Sequence, residues 1–329
     1  MQLIVDDYTA FIGKESERFT ISFKDKPKEE FPVSKVEQIV VANASGVSTG
    51  AVRLAMENDV DIVYLDWRGM PIGRTYPCRL GGTTLTRKRQ LEAYFELTGA
   101  EIVKILIKSK IRNQGYFLKS LAKSRNNAEV SSAGDEIIKT AEKTSELEGT
   151  VDEIREKMLG IEGYAGNVYW GALQKVIPIE AREKKTPDET NSLFNYGYGI
   201  LYSEIEKACI LAGLDPYLGF LHTDRYRKPS MVLDLIEEFR PVIVDRAIVT
   251  LFAQKQVREG FFEEENGLVR LSKEGRGEVI TAVMGRLHSE ISFRDGKSDL
   301  AGIILHEARQ VAAKVLRPEE KMHGFVYKW

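Results

Sequence analysis

Residues 76–83 read Tyr76-Pro77-Cys78-Arg79-Leu80-Gly81-Gly82-Thr83, and the chain changes character on either side of them. A proline and two adjacent glycines break both helical and strand periodicity, so residues 76–86 are expected to be a linker. Upstream, Leu3-Ile4-Val5, Phe19-Thr20-Ile21-Ser22-Phe23, Val36-Glu37-Gln38-Ile39-Val40-Val41 and Val60-Asp61-Ile62-Val63-Tyr64-Leu65 are short, β-rich and separated by turn formers. One helix is expected among these strands, over Ser48–Asn58. Ser48 is placed to cap it, and Val52, Ala55 and Met56 recur at helical spacing. Gly69-Met70-Pro71-Ile72-Gly73 reads as a turn and hairpin return.

Downstream the apolar period lengthens. Leu91, Tyr94 and Phe95, then Ile102, Ile105 and Leu106, fall on helical faces. Later helices are expected over Leu193–Ala212, Ser230–Phe239 and Val242–Gln254, with Lys184-Lys185-Thr186-Pro187-Asp188 as an exposed loop. The fold class is therefore α+β. A small N-terminal β-sheet domain, residues 1–75, precedes a larger all-α domain, residues 87–329.

Composition sets bounds on function. The chain has 329 residues, 43% hydrophobic and 29% charged, enough for two domains with cores of their own. No apolar run reaches the roughly 20 residues that span a bilayer, and the start Met1-Gln2-Leu3-Ile4-Val5-Asp6-Asp7 lacks the features of a secretory signal. A cytoplasmic location, without membrane association, is expected. Cys78 and Cys209 are the only cysteines, which supports neither a disulfide framework nor a thiolate zinc site.

The net charge of −2 hides an uneven distribution. Arg87, Lys88, Arg89, Lys104, Lys108, Lys110, Arg112, Lys119, Lys123 and Arg125 face only Glu92, Glu96 and Glu101 in the same stretch. The next stretch reverses sign, from Glu129 and Asp135 through Glu142 to Glu156. The basic helical run, with Lys104, Lys108 and Arg112 at its centre, is a candidate track for a nucleic-acid backbone. A solvated helix surface explains such a run equally well.

Glu162, His222 and Glu237 are far apart in the chain and read as one metal site. Two carboxylates and an imidazole suit a divalent ion that works on phosphate. The oxygen ligands favour Mg²⁺ or Mn²⁺, and the single nitrogen tilts the choice toward Mn²⁺. Pro229-Ser230 precedes an apolar-periodic run, so Ser230 is expected to cap a helix carrying Asp234 and Glu237 three residues apart on one face. Glu238 stands four residues from Asp234 and shares its face equally well, so spacing leaves Glu237 and Glu238 open. Arg225, Arg227 and Lys228 follow His222 and bring charge for phosphate contacts. Tyr202, in an aromatic cluster with Phe194, Tyr196 and Tyr198, and Arg240, at the end of the Ser230 helix, complete the candidate DNA contacts.

Several other chemistries fail on inspection. Gly197-Tyr198-Gly199 lacks the third glycine of a dinucleotide fingerprint. His306-Glu307-Ala308-Arg309-Gln310 has glutamine where a zinc protease needs its second histidine. Neither a phosphate-binding GxxxxGK[ST] loop nor a GxSxG elbow occurs.

Taken in order, these segments resemble the CRISPR-associated integrase of the spacer-acquisition complex, the universal first protein of those systems. The resemblance covers nearly the whole chain. It runs through Gln38-Ile39-Val40-Val41, Val47-Ser48-Thr49-Gly50-Ala51-Val52-Arg53-Leu54, Gly160-Ile161-Glu162-Gly163 with Tyr169-Trp170, Asn191-Ser192-Leu193-Phe194-Asn195-Tyr196-Gly197-Tyr198 and Gly219-Phe220-Leu221-His222. Its strongest part is Ser230-Met231-Val232-Leu233-Asp234-Leu235-Ile236-Glu237-Glu238-Phe239-Arg240-Pro241.

The resemblance implies a β-sheet domain joined to an α-helical catalytic domain, with a homodimer formed chiefly through the N-terminal domains. Two dimers would flank a dimer of the small second protein of the adaptation complex. The family's metal ligands carry over onto Glu162, His222 and Glu237, with Asp234 adjacent and functionally important. Many relatives have proline where this chain has Glu238. The implied reaction is attack by a DNA 3′-hydroxyl on a phosphodiester of the repeat array, inserting a captured foreign fragment. Reversal on branched DNA gives a nuclease-like activity. A stand-alone branched-DNA nuclease of DNA repair would share the metal site without joining strands, and a non-enzymatic DNA scaffold would tolerate loss of Glu162 and His222.

Overall fold

Alternating apolar residues at the N-terminus build two four-stranded sheets. The computed structural model describes all residues except 44, 77–82, 184–187, 223–227, 266 and 295. It divides the chain into two compact units, Met1–Leu80 and Gly81–Trp329. Most of the expected linker, most of the expected 184–188 loop, Cys78, Arg225 and Arg227 lie outside the described residues.

In the first unit, β1 (Gln2–Val5), β5 (Gln38–Val41) and β7 (Asp61–Leu65) pair in parallel, and β8 (Pro71–Thr75) closes the sheet antiparallel to β7. The second sheet has the order β4 (Glu29–Pro32), β3 (Arg18–Ser22), β2 (Phe11–Glu15), β6 (Gly46–Val47). Leu3, Val5, Ile12, Phe19, Ile21, Ile39, Val41 and Ile62 come from both sheets and form one buried cluster with Leu54 of helix α1 (Thr49–Glu57). Ser48 caps α1 as expected, its hydroxyl accepting from the Ala51 amide at 3.1 Å. Gly69 turns the β7–β8 hairpin at φ 77°, a conformation open to glycine. Three strands not anticipated from the sequence, β2, β4 and β6, carry exposed or half-buried residues that blur the period of two, while β8 is the hairpin return expected after Gly69.

The second unit is mostly helical: α2 (Thr83–Phe95), α3 (Leu97–Arg125), α4 (Ala128–Glu142), α5 (Val151–Leu173), α6 (Glu189–Leu211), α7 (Ser230–Ile236), α8 (Arg246–Ala253), α9 (Lys273–Leu287) and α10 (Leu300–Leu316). Two small hairpins accompany them: β9 (Phe262–Glu265) with β10 (Leu268–Leu271), and β11 (Glu290–Phe293) with β12 (Gly296–Asp299). No helix among the described residues is long and apolar enough to cross a membrane.

The long helix α3 organises this unit. Ile102, Leu106, Ile107, Ile111, Phe117 and Leu118 are buried along it, and α4 and α5 both pack against it. The basic run and the acidic run then meet across the α3–α4 contact. Lys108 Nζ lies 2.8 Å from Glu142 Oε2 and Arg112 Nη2 lies 2.6 Å from Glu142 Oε1, while Lys119 pairs with Asp135. The two halves of the charge pattern partly neutralise each other within the fold.

Candidate metal centre

Three helices and the segment between α6 and α7 bring the site together. Glu162 stands on α5 and His222 ends the segment after α6. Glu237 is the C-terminal cap of α7, and Lys110 reaches in from α3. One ligand atom from each of Glu162, His222 and Glu237 lies within 4.8 Å of the other two. The three residues read together from the sequence are thus brought together by the fold.

Asp234 is not one of that trio. It stands behind the imidazole and holds the chain that carries it. Its Oδ2 accepts from the Phe220 and Leu221 amides at 2.6 and 3.2 Å, and its Oδ1 from the His222 amide at 3.0 Å. The same Oδ1 lies 2.7 Å from His222 Nδ1. A carboxylate on one ring nitrogen fixes the imidazole and leaves Nε2 as the ring nitrogen that could ligate an ion. Burial disfavours the charge on His222, but the Asp234 contact, with Glu237 and Glu162, holds its pKa above the ordinary value. Gln90, itself buried, anchors the same segment: its side-chain amide donates to the Asp215 and Leu218 carbonyls at 3.0 and 2.6 Å and its oxygen accepts from the Asp215 amide.

Gly219 makes this geometry possible. A Cβ there would lie 2.4 Å from the Ser230 carbonyl carbon, so the chain before His222 runs tight against the start of α7. The expectation that Ser230 caps α7 is corrected. Pro229 occupies the cap position without a side-chain bond, and the Ser230 hydroxyl instead donates to the Lys228 carbonyl at 3.2 Å. The ψ of 82° at Pro229 makes Ser230 the first helical residue.

Glu237 is buried yet charged. Burial pushes its pKa up, but Arg240, Lys110 and His222 overcome that and hold it near 2. Arg240 Nη1 lies 2.5 Å from Oε1 and Lys110 Nζ 2.5 Å from Oε2. Lys110 also bridges to Glu162 Oε1. The guanidinium of Arg240 lies 5.1 Å from the centre of the Tyr198 ring. Beyond it, the hydroxyls of Tyr169 and Tyr198 both donate to Asp245, whose burial raises its pKa to about 6. Asp245 ends a single π-helical turn, Pro241–Asp245, of a kind frequent at functional sites.

Glu238 faces away from this cluster. Burial and the nearby Glu307 drive its pKa well above the carboxylate range, and Ser109 and the Phe325 backbone offset this only in part. Its carbonyl and that of Phe325 both accept from Asn113 Nδ2, at 2.8 and 3.0 Å, so α3 ties the α7 turn to the C-terminal segment.

The remaining candidates scatter. Lys104, Lys108 and Arg112 lie half-buried on α3, the last two engaged by Glu142. Tyr202 is buried in α6, and burial pushes its hydroxyl pKa upward. Lys228 is half-buried just before α7, and Arg240 is held by Glu237. Lys110, Gln90 and Asn113 were not singled out from the sequence. Their signal was faint: Lys110 and Asn113 lie three apart on α3, beside Ile107 and Ile111.

Known proteins resemble this chain in both sequence and fold. Residues 3–284 match the family model described as CRISPR associated protein Cas1. A curated relative from Archaeoglobus fulgidus, CRISPR-associated endonuclease Cas1 1, is 35% identical over the full length of both chains. Among solved structures, a casposase bound to an integration product superposes with a TM-score of 0.84 at 22% identity, over 98% of this chain and 92% of that one. A chain of a Cas6-RT-Cas1–Cas2 complex gives 0.81 at 18% identity, over 100% of this chain and 36% of that one. These two likenesses show the fold, and the family model with the full-length relative shows the family. The chain belongs to the Cas1 family of CRISPR-associated proteins.

Proposed function

We propose that this protein is a metal-dependent DNA integrase. In this reading a DNA 3′-hydroxyl attacks a phosphodiester of a CRISPR repeat array, captured foreign DNA is joined there, and the same site reverses the reaction on branched DNA. One observation carries it: Glu162, His222 and Glu237, brought from three separate segments, offer ligand atoms within 4.8 Å of one another.

The donor set fits a divalent ion, Mn²⁺ or Mg²⁺. Two carboxylates and one imidazole nitrogen suit either ion, and the Lys110 ammonium already bridges the two carboxylates, so the site attracts positive charge there. When bound, such an ion supplies Lewis-acid stabilisation of charge developing on the phosphoryl oxygens and eases ionisation of the attacking hydroxyl. The protein's own residues prepare the site. Asp234 fixes the orientation of His222 and frees Nε2. Arg240 and Lys110 keep Glu237 ionised despite its burial. The Asp234 bonds to the Phe220, Leu221 and His222 amides hold the histidine segment against α7.

The partners in this reading are double-stranded and branched DNA and the small second protein of the adaptation complex. The casposase and the Cas1–Cas2 assembly among the structural neighbours support both. Lys104, Lys108 and Arg112 of α3, with Arg225, Arg227, Lys228 and Arg240, are the proposed DNA contacts, while the burial of Tyr202 in α6 argues against its expected contact. Because Glu142 already engages Lys108 and Arg112, a phosphate there must share or displace that carboxylate. The N-terminal unit is the proposed homodimerisation domain, and the exposure of Tyr8 and Ile72, 74% and 71%, gives it apolar surface to bury.

The test is a labelled branched DNA, a single strand partly joined to a duplex, incubated with Mn²⁺, Mg²⁺ or chelator beside Glu162→Ala. A religated duplex and a released flap are expected only with metal and only with Glu162 intact. Cutting without joining would instead indicate a branched-DNA nuclease of repair. A gel shift without chemistry would indicate a DNA scaffold.

A further inference from the structure

We propose that Lys110 is an exchangeable counter-ion: its ammonium fills the gap between Glu162 and Glu237 when no metal is bound, and metal entry releases it to contact the phosphate backbone of the DNA. This rests on Glu162, His222 and Glu237 being the metal ligands.

The argument begins with which oxygens are taken. Glu237 receives two cations, one on each carboxylate oxygen. Arg240 holds Oε1 at 2.5 Å from three residues along the same chain segment, and its guanidinium is laid on the Tyr198 ring. Lys110 holds Oε2 at 2.5 Å from a different helix and reaches Glu162 Oε1 as well. Arg240 is therefore built in, by a contact on its face and a bond at its edge. Among the described residues Lys110 has no such second anchor: its partners there are these two carboxylates.

The same lone pairs cannot serve an ammonium and a divalent ion together. Glu162 and Glu237 are the two anionic members of the ligand trio, and Lys110 lies across both. A divalent ion placed there brings two positive charges to the oxygens that hold one, so the lysine must yield. The lysine can do so cheaply. Its flexible four-carbon stem moves the charge without moving the backbone, and the backbone is fixed by Ile107 and Ile111, both buried in α3. The displaced ammonium remains beside the site with its charge unspent, and its side chain is already 13% exposed. A phosphodiester is the anion that the proposed substrate brings to that spot, and lysine binds phosphate as a point charge.

Two consequences separate this role from a purely structural ion pair. The ammonium and the metal compete, so removing the ammonium strengthens metal binding. Metal entry liberates a cation for DNA, so metal and DNA favour each other's binding, reciprocally, in proportion to the coupling.

The experiment measures Mn²⁺ affinity by electron paramagnetic resonance, without DNA, for the wild type, Lys110→Met and Glu162→Ala. Lys110→Met is expected to bind Mn²⁺ about tenfold tighter, within the usual range of coupling between ligands. Glu162→Ala is expected to lose binding. In parallel, lysine labelling of the wild type followed by mass spectrometry should show Lys110 more reactive with Mn²⁺ than with chelator, and protected again when DNA is added. Equal or weaker Mn²⁺ binding by Lys110→Met overturns the proposal while leaving the metal site standing. If Lys110→Met does not fold, the wild-type labelling decides, and reactivity unchanged by Mn²⁺ overturns it. Absence of Glu162-dependent Mn²⁺ binding overturns both this inference and the metal reading beneath it.

Discussion

Glu237 and Glu238 are neighbours in sequence, both buried, and held in opposite states. Glu237 faces Lys110, Arg240 and His222, and its pKa is near 2. Glu238 faces Glu307 with no cation among the groups that shift it, and its pKa rises well above the carboxylate range. Burial acts on both in the same direction, disfavouring the charge. What differs is which side of the α7 turn each occupies. A buried carboxylate is a ligand-ready anion only where the fold supplies cations to hold it charged. One step along the chain, without them, the same residue type becomes a neutral acid.

The largest expected effect breaks the comparison on its charged side. Glu237→Gln should reduce strand joining to the level of the chelator control, while Glu238→Gln should leave Mn²⁺ affinity unchanged. Mn²⁺ titration and the branched-DNA assay on both variants check this. Similar losses in the two would mean that the assignment of sides is wrong. Asp234→Asn should be the next largest. An asparagine keeps one accepting oxygen, so it loses either the Phe220 and Leu221 amide bonds or the contacts to the His222 amide and ring. A loss of about 10–100-fold in metal affinity is expected, as for other partners of metal-bound histidine. Gly219→Ala acts through the backbone alone. Its Cβ would meet the Ser230 carbonyl carbon at 2.4 Å, and a cost of about 1–3 kcal/mol is expected from forced packing, read by denaturant unfolding.

The two sides were not equally legible in the sequence. Residue type identified Glu162, His222 and one glutamate near Asp234, but both spacings from Asp234, three and four, lie on one helical face. The ambiguity ends only because α7 stops at Ile236 and the chain passes through a turn before Pro241–Asp245. That break is a tertiary feature. The run of apolar residues continues through it and predicts a single helix over Ser230–Phe239. Ser230 was misread for a related reason: capping preference favours serine over proline, yet the backbone at Pro229 sets the helix start. Lys110 was counted in a basic run, because its partners stand 52 and 127 residues away and leave no local pattern. The alternation of the N-terminal strands and the period of the long helices were readable because each is set by neighbours within a few residues. The strands β2, β4 and β6 were not, since their burial depends on pairing across the sheet.

The smallest effect sharpens the comparison on its uncharged side. Burial raises the pKa of Glu307 to about 8, against the opposing pull of Arg294 and Gln310. A carboxyl whose folded pKa exceeds its unfolded value favours the folded state fully below the unfolded value, near 4.3, and loses that contribution as pH rises toward the folded one. The wild type should therefore melt at progressively lower temperature as pH rises from about 5 to 8. Glu307→Gln, which has no proton to lose there, should show a flatter profile and melt above the wild type at pH 8. Glu238→Gln should flatten it too, because removing either acid removes the repulsion that each exerts on the other. If the two acids act as one unit, the double variant should gain less than the sum of the single gains, since contacting groups are not additive. Additive gains would mean that each glutamate is kept neutral by its own burial alone. The contrast with Glu237 would then rest wholly on the presence of Lys110 and Arg240, and not at all on Glu307.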